Sequence, residues 1–193
     1  AKEYGIIVAH DAAYADVTFD GYRAPSFLEV PGAMDVGIEF YSLSKTYNMT
    51  GWRIGAAIGN ADIVAGLGAV KTNIDSGAFQ AIQYAGMAAL DGGSFCIEEN
   101  NATYRERRDV LVDGLKKIGW DVDKPKASFY VWIRLPEGVK SADMTAKLIK
   151  EAAVVTTPGV GFGTYGEGYI RMTVTSPVDR LAEAVERIAK MGR

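Results

Sequence analysis

The chain has 193 residues, of which 48% are hydrophobic and 23% are charged, and its formal net charge is −3. This apolar content is enough to build a core in one large domain or two small ones. A slightly acidic chain has no charge complementarity to nucleic acid or to anionic membranes, so we expect neither partner. The single cysteine, Cys96, excludes an internal disulfide framework and is typical of a protein from a reducing cytoplasm.

Short apolar runs alternate with polar loops in the first part of the chain. Residues 4–9 are rich in β-branched side chains, which predicts a strand buried on both faces, as in a parallel sheet. Further strands are predicted at 38–42 and 54–58. The pattern then becomes helical, and the nearly all-apolar segment 76–92 predicts a buried helix. Three helices are predicted in this region, at 62–70, 76–92 and 97–118.

A smaller α/β unit is predicted after Trp120. Strands are expected at 128–135 and 168–175. Between them we expect a helix at 141–153, with Ser141 as its N-cap, followed by a glycine-rich loop. A final helix is expected to have Ser176 as its N-cap and a buried stripe formed by Leu181, Val185 and Ile188. We therefore predict an α/β protein with two domains, 1–95 and 96–193.

Polar side chains cluster where the strands of the first domain are expected to end. In open α/β sheets, ligands bind outside the carboxyl ends of the strands. Taken one at a time, a lysine at a strand end is usually solvated, and an aspartate in such a loop usually forms an Asx-turn. The candidate residues come from "HDAAY" and from "SLSKTYNMTGWRIG", and they are Asp11, Tyr14, Ser42, Ser44, Lys45 and Arg53.

Together these residue types match the needs of pyridoxal 5′-phosphate. The amine of Lys45 suits the aldehyde, and a carboxylate at Asp11 would keep the ring nitrogen protonated. The phenol of Tyr14 suits the 3′-oxygen. A serine hydroxyl and the planar fork of Arg53 suit a phosphate. Gly51 and Gly55 are expected to allow close backbone approach. His10 either orients Asp11 or packs at the strand end, and no metal site is predicted.

The pattern "D-x-x-Y" followed by "S-x-S-K-x-x-x-x-x-G-x-R-x-G" resembles the fold-type I pyridoxal-phosphate aminotransferases of class I and II. The second motif is especially similar to those of LL-diaminopimelate and aspartate aminotransferases. The resemblance extends to "GEGYIRMTVT" near the end of the chain, and it implies that Arg171 binds the α-carboxylate of the substrate. Members of the family are about twice as long, so the resemblance implies that this chain is the C-terminal half: the end of the large cofactor-binding domain, with a mixed sheet, and the small domain.

The resemblance also implies a function, a cofactor and partners. Lys45 would be catalytic in amino-group transfer between an amino acid and a 2-oxo acid, with pyridoxal phosphate as cofactor, in a cytoplasmic homodimer of amino-acid metabolism such as lysine biosynthesis. Two alternatives remain open. One is another enzyme of the same fold, such as a C–S lyase, because the cofactor performs the difficult chemistry in both. The other is a non-catalytic fragment or regulator domain that uses the fold without the reaction.

Overall fold

The computed structural model describes residues 1–191, which form two compact units, one ending at Asn101 and the other beginning at Ala102. Each unit contains helices and its own sheet, which confirms the α/β class. The predicted domain boundary after residue 95 stays a prediction. Within the described residues, every helix is too short or too polar to cross a membrane.

The first unit is built around a mixed three-stranded sheet. Its strands are β1 (Val8–Asp11), β2 (Gly37–Ser42) and β3 (Gly55–Gly59), in the spatial order β1-β2-β3. Strand β2 is parallel to β1 and antiparallel to β3. The carboxyl ends of β1 and β2 and the start of β3 therefore lie at one edge of the sheet. A parallel arrangement was predicted for these apolar runs, and the β1–β2 pair has it.

Helices and turns follow the strands of the first unit. The 3₁₀ turns of this unit are Phe27–Glu29, Ala33–Asp35 and Thr50–Trp52. The helices are α1 (Leu43–Thr46), α2 (Ala61–Lys71), α3 (Gln80–Gly92) and α4 (Ser94–Lys117), the last of which contains the boundary between the units. Helix α2 is capped by Asn60, whose side-chain oxygen accepts hydrogen bonds from the amides of Asp62 and Ile63.

The second unit is an antiparallel four-stranded sheet packed against helices. Its strands are β4 (Asp121–Val122), β5 (Tyr130–Arg134), β6 (Thr157–Pro158) and β7 (Tyr169–Thr173), in the order β4-β5-β7-β6. Its helices are α5 (Ser141–Lys147), which continues as a π-helical turn (Leu148–Ala152), and α6 (Val178–Ala189). Two 3₁₀ turns, Gly159–Phe162 and Thr164–Gly166, form the glycine-rich loop between β6 and β7.

The cluster of buried apolar side chains in the second unit forms a continuous hydrophobic core. Strands β5 and β7 alternate, so that one face of the sheet is fully apolar and buried. The predicted stripe of α6 is confirmed, since Leu181, Val185 and Ile188 are all buried in this core. The sheet residues that pack against the helices are Val131, Ile133, Ile170 and Met172.

Two predictions about burial in the first unit are wrong. Strand β1 begins only at Val8, and the side chains before it, Ile6 and Ile7, are 55% and 61% exposed. Helix α3 forms close to where it was expected, but Tyr84, Met87 and Leu90 are exposed on it. An apolar pattern predicts which face of a helix or strand favours burial, but it does not show which part of a protein covers that face.

Two helix caps also differ from prediction. Helix α5 starts at Ser141 itself, whose backbone N–H donates to the carboxylate of Glu167 at 2.7 Å while its hydroxyl accepts from the amide of Val160. A side chain from a distant loop thus satisfies the free donor at this helix start. Helix α6 starts at Val178, one residue later than predicted, so that its N-cap residue is Pro177 and not Ser176.

Candidate functional site

Strand pairing in the first unit gathers most of the predicted residues at one sheet edge. Asp11 is the last residue of β1, and Ser42, the last residue of β2, continues directly into the helix that carries Lys45. Ser42 pairs with Gly55, the first residue of β3, and the chain reaches that strand through Arg53. The polar motif therefore lies at the carboxyl ends of the parallel strands, where α/β sheets bind ligands.

Lys45 and Tyr14 come together at this edge. The Lys45 ammonium nitrogen lies 5.2 Å from the centroid of the Tyr14 ring, over its face, and both side chains are half-buried. A cation over an aromatic face is held electrostatically and loses part of its freedom. The pair places an amine and a phenol within the span of one small ligand.

Ser42 and Ser44 shape the turn that presents Lys45. The Ser42 hydroxyl caps helix α1 by accepting a hydrogen bond from the Ser44 amide at 3.2 Å. Ser44 is itself buried, and its carbonyl accepts from the Thr50 hydroxyl at 3.1 Å. In this structure Ser44 therefore supports the turn through its backbone, whereas the half-exposed Ser42 hydroxyl can also donate to a ligand.

Arg53 adopts a conformation that is unusual for a residue with a side chain. Its φ and ψ are 55° and 48°, in the left-handed region, and it is exposed. One guanidinium nitrogen donates to the Thr50 carbonyl at 3.0 Å, which leaves further N–H groups for an anion. The two glycines near it differ. A Cβ on Gly55 would lie 2.5 Å from the Tyr41 carbonyl oxygen, whereas Gly51 faces open space. The expected close approach of these two glycines to a phosphate stays a prediction.

Asp11 is exposed at the end of β1, and its carboxylate accepts only a long bond, 3.4 Å, from the Ala13 amide. This contact is the Asx-type turn that such a sequence usually forms, and the second carboxylate oxygen is not used in it. His10 does not orient Asp11 within the described residues. Its Nδ1 instead lies 2.7 Å from a carboxylate oxygen of Glu39 in the neighbouring strand.

A hydrogen-bond network centred on Asp16 fixes the turn that carries Lys45. The Asp16 carboxylate accepts from the Tyr41 hydroxyl at 2.5 Å and from the Thr46 hydroxyl at 3.1 Å. Burial raises the pKa of Tyr41 well above its ordinary value, and the hydrogen bond to Asp16 raises it further. The Asn101 side chain donates to the Asp16 backbone carbonyl at 2.7 Å. The loop that carries Tyr14 is thereby tied to the helix that carries Lys45.

Arg171 lies in the second unit, on the face of β7 opposite the core. The predicted alternation is confirmed, because Ile170 and Met172 are buried while Tyr169 and Arg171 lie on the other face. The Arg171 guanidinium carbon lies over two aromatic rings, 4.0 Å from the centroid of Tyr130 and 4.4 Å from that of Phe162. Among residues 1–191 it makes no ion pair with a carboxylate.

Comparison with protein families decides what this chain is. The family described as aminotransferase class I and II matches residues 1–188. This chain belongs to that family. The resemblance carried by the two motifs is thereby confirmed.

Individual aminotransferases match along the whole chain. An LL-diaminopimelate aminotransferase from Syntrophobacter fumaroxidans is 58% identical over 99% of this chain, and one from Moorella thermoacetica is 53% identical over 99%. The substrate-bound structure of BacF from Bacillus subtilis, at 38% identity, matches the entire fold with a TM-score of 0.95. The chain spans about half the length of each of these relatives, 49% in all three cases. The predicted fold class, a partial aminotransferase fold, is confirmed.

Sequence reasoning missed the residues that support this aminotransferase motif. Asp16 follows Tyr14 by two residues, and a second aspartate so close to a strand end was a usable signal for it. The partners Tyr41 in β2 and Thr46 in α1 gave no separate signal, because the pattern of a half-buried strand or of a short helix does not show which side chain its residues will contact. The same holds for the rings beside Arg171, which reach it from another strand and from a loop.

Proposed function

We propose that this chain is part of a pyridoxal-phosphate-dependent aminotransferase, with Lys45 as the residue to which the cofactor is attached. The observation that carries the proposal is the position of the Lys45 amine over the Tyr14 ring, 5.2 Å from its centroid, at the sheet edge where β1 ends at Asp11 and β2 ends at Ser42. A solvated surface lysine would not require this convergence of an amine, a phenol and a carboxylate.

The residues present fit this cofactor. Pyridoxal phosphate requires an amine for its aldehyde, an anion for its ring nitrogen, a donor for its 3′-oxygen and donors for its phosphate. Lys45, Asp11 and Tyr14 offer the first three. Ser42 and Arg53 offer a hydroxyl and a guanidinium, and the latter keeps N–H groups free beyond its bond to the Thr50 carbonyl. The strained backbone of Arg53 agrees with a functional position, since such strain concentrates at binding sites.

Each side chain then has a defined task. When bound, the cofactor supplies an electron sink that makes the Cα proton of an amino acid acidic. The Lys45 amine would accept a proton and donate it again, which makes it the proton carrier of the site. Asp11 would keep the ring nitrogen protonated, and the Tyr14 hydroxyl would donate toward the phenolic oxygen. The Asp16 network keeps the turn with Lys45 and the loop with Tyr14 in fixed positions, which is how an enzyme avoids an entropic cost at the reacting atoms.

The proposed substrates are an amino acid and a 2-oxo acid, with the amino-acid carboxylate bound by Arg171. For the amino donor we propose LL-diaminopimelate, which would place the protein in lysine biosynthesis. The support is the identity of 58% and 53% to two relatives named LL-diaminopimelate aminotransferase. We further propose that the whole protein is a cytoplasmic homodimer.

The test is amino transfer by the full-length protein that contains this chain. With LL-diaminopimelate and 2-oxoglutarate we expect glutamate to form only when both substrates are present. Lys45→Ala should lower the rate on the order of 10⁴-fold or more, because both the attachment point and the proton carrier are lost. Borohydride reduction followed by peptide mass spectrometry should find the cofactor on Lys45.

A matched control is Lys71→Ala, which removes an exposed lysine that pairs with Asp75. This variant should keep the activity and the attachment site. Release of a thiol or sulfide from a sulfur amino acid, without glutamate, would replace the aminotransferase proposal by a lyase. An active Lys45→Ala variant, or attachment at another lysine, would refute the assignment of Lys45.

A further inference from the structure

The outer face of the small sheet is aromatic around Arg171. Trp132 is the register partner of Arg171 across β5 and β7, and Tyr130 lies on the same face two residues earlier in β5. Phe162 approaches from the glycine-rich loop and meets Trp132 edge to face, with 5.2 Å between ring centroids. This face is not part of the core, since Val131 and Ile133 point to the other side. Its rings therefore need another explanation.

The contacts of Arg171 suggest one. Its guanidinium carbon is 4.0 Å from the Tyr130 centroid and 4.4 Å from the Phe162 centroid, so that the cation lies over both rings. Within residues 1–191 no hydrogen-bond acceptor is bound to its N–H groups. A guanidinium binds aromatic faces through its π-system and carboxylates through its edge, and the two modes do not compete.

We propose that Tyr130 and Phe162 form a clamp that positions Arg171, so that its N–H edge is presented to a carboxylate. The clamp rests on the proposed function, in which Arg171 binds the substrate carboxylate. A free arginine side chain has many rotamers and must be ordered each time a ligand binds, which weakens binding. Rings that fix the guanidinium in advance remove part of this cost. Tyr130 and Phe162 are thus positioning residues that act through Arg171.

The loop that carries Phe162 is itself held firmly, as a clamp requires. Gly159 and Gly166 approach so closely that a Cβ on Gly159 would lie 1.9 Å from the Gly166 carbonyl oxygen. Glu167 then ties the loop to helix α5, because its carboxylate accepts from the amides of Ser141 at 2.7 Å and Gly168 at 3.0 Å. These contacts close the two ends of the loop and leave Phe162 over Arg171.

The first test measures the clamp without any activity. In NMR spectra of the 193-residue chain, the Arg171 side-chain protons should be shifted upfield by the two rings, with Arg171→Lys identifying the signals. Phe162→Leu should remove a large part of the shift. Phe162→Tyr should retain it, because the ring is kept. Tyr165→Leu is the matched control, since Tyr165 lies in the same loop and is fully exposed. Unshifted Arg171 signals in the unaltered chain would refute the clamp.

The second test measures its effect on substrate binding in the full-length protein. Phe162→Leu should raise the KM for the amino acid on the order of tenfold while kcat changes less than about twofold, because the carboxylate contact is made before and during the reaction alike. Phe162→Tyr should restore the KM, and Tyr165→Leu should not change it. If Phe162→Leu fails to fold, Tyr130→Leu takes its place and should show the same rise in KM. An unchanged KM in folded Phe162→Leu and Tyr130→Leu variants refutes the positioning role.

The two tests separate the clamp from the proposed function. Shifted Arg171 signals in a protein that transfers no amino group would leave the clamp standing and refute the aminotransferase assignment. Amino transfer by a protein with unshifted Arg171 signals would refute the clamp and leave the aminotransferase assignment standing.

Discussion

The contacts of Arg171 indicate that lysine would be a poor replacement for arginine at this position. Lysine has the same charge, but it offers a point charge instead of a planar fork and stacks less well on the rings of Tyr130 and Phe162. In the full-length protein, the proposed function predicts that Arg171→Lys lowers kcat/KM for the amino acid on the order of 100-fold, about 3 kcal/mol, with cofactor binding intact.

The chain offers a matched control for this substitution. Arg134 lies at the end of β5 on the same face of the sheet, where it pairs with Tyr169 in the register. Arg134→Lys should leave the kinetics unchanged. Equal losses in both variants, or no loss in Arg171→Lys, would remove Arg171 from the substrate site.

At the level of single residues, the sequence predicted the chemical groups of the candidate site better than it predicted the contacts between them. A motif such as "SLSKTYNMTGWRIG" states which functional groups are present, and strand order then places Ser42 and Asp11 at one edge. What the motif could not state is how a residue is used. Cofactor binding by Ser44 stays a prediction, and the structure adds that Ser44 is buried and holds the turn through its carbonyl. The support from Asp16 depends on contacts between segments 30 residues apart.

Among the elements of the first unit, strand β2 is connected by Glu39 to the start of the 3₁₀ turn Phe27–Glu29. Its carboxylate accepts from the Ser26 hydroxyl at 2.7 Å and the Phe27 amide at 3.1 Å, and it lies 2.7 Å from His10. Burial opposes the charge of Glu39, but the hydrogen bonds from Ser26, His10 and Phe27 outweigh it and lower the pKa of this carboxyl below its ordinary value.

This lowered pKa predicts how the contact depends on pH. A carboxyl with a lowered folded-state pKa contributes fully above its unfolded pKa, about 4.3, and loses the contribution as pH falls through the folded value. Glu39→Gln should therefore speed hydrogen exchange of the Phe27 amide about fivefold at pH 7, roughly 1 kcal/mol, and the difference should shrink below pH 4. Glu98→Gln, at an exposed position in α4, is the control. A difference that is constant down to pH 3 would contradict this origin.

Across the whole molecule, buried and exposed apolar side chains are unevenly divided. The continuous core belongs to the second unit, and the sequence predicted it well because alternation in β7 and the stripe of α6 are local patterns. The first unit instead exposes much of its apolar surface. Among the side chains more than half exposed there are Tyr4, Ile6, Ile7, Ile58, Val70, Ile74, Phe79, Tyr84, Met87, Leu90 and Phe95. The local pattern did not predict this exposure, because it shows which face is apolar and not what packs against that face.

This division predicts unequal stability along the chain. Since the relatives are twice as long, we expect their other half to cover the exposed faces of β1 and α3. In the 193-residue chain, amides of β5 and β7 should exchange on the order of 100-fold more slowly than those of α3, a difference of about 3 kcal/mol. In the full-length protein α3 should gain most of that protection, whereas β5 and β7 should change little. The cross-strand pairs Val131–Met172 and Ile133–Ile170 of β5 and β7 are buried in the core of the second unit in the 193-residue chain itself. The amides of these two strands therefore serve as the internal control. Equal protection of α3 in both proteins would mean that its exposed apolar face has no partner in the other half.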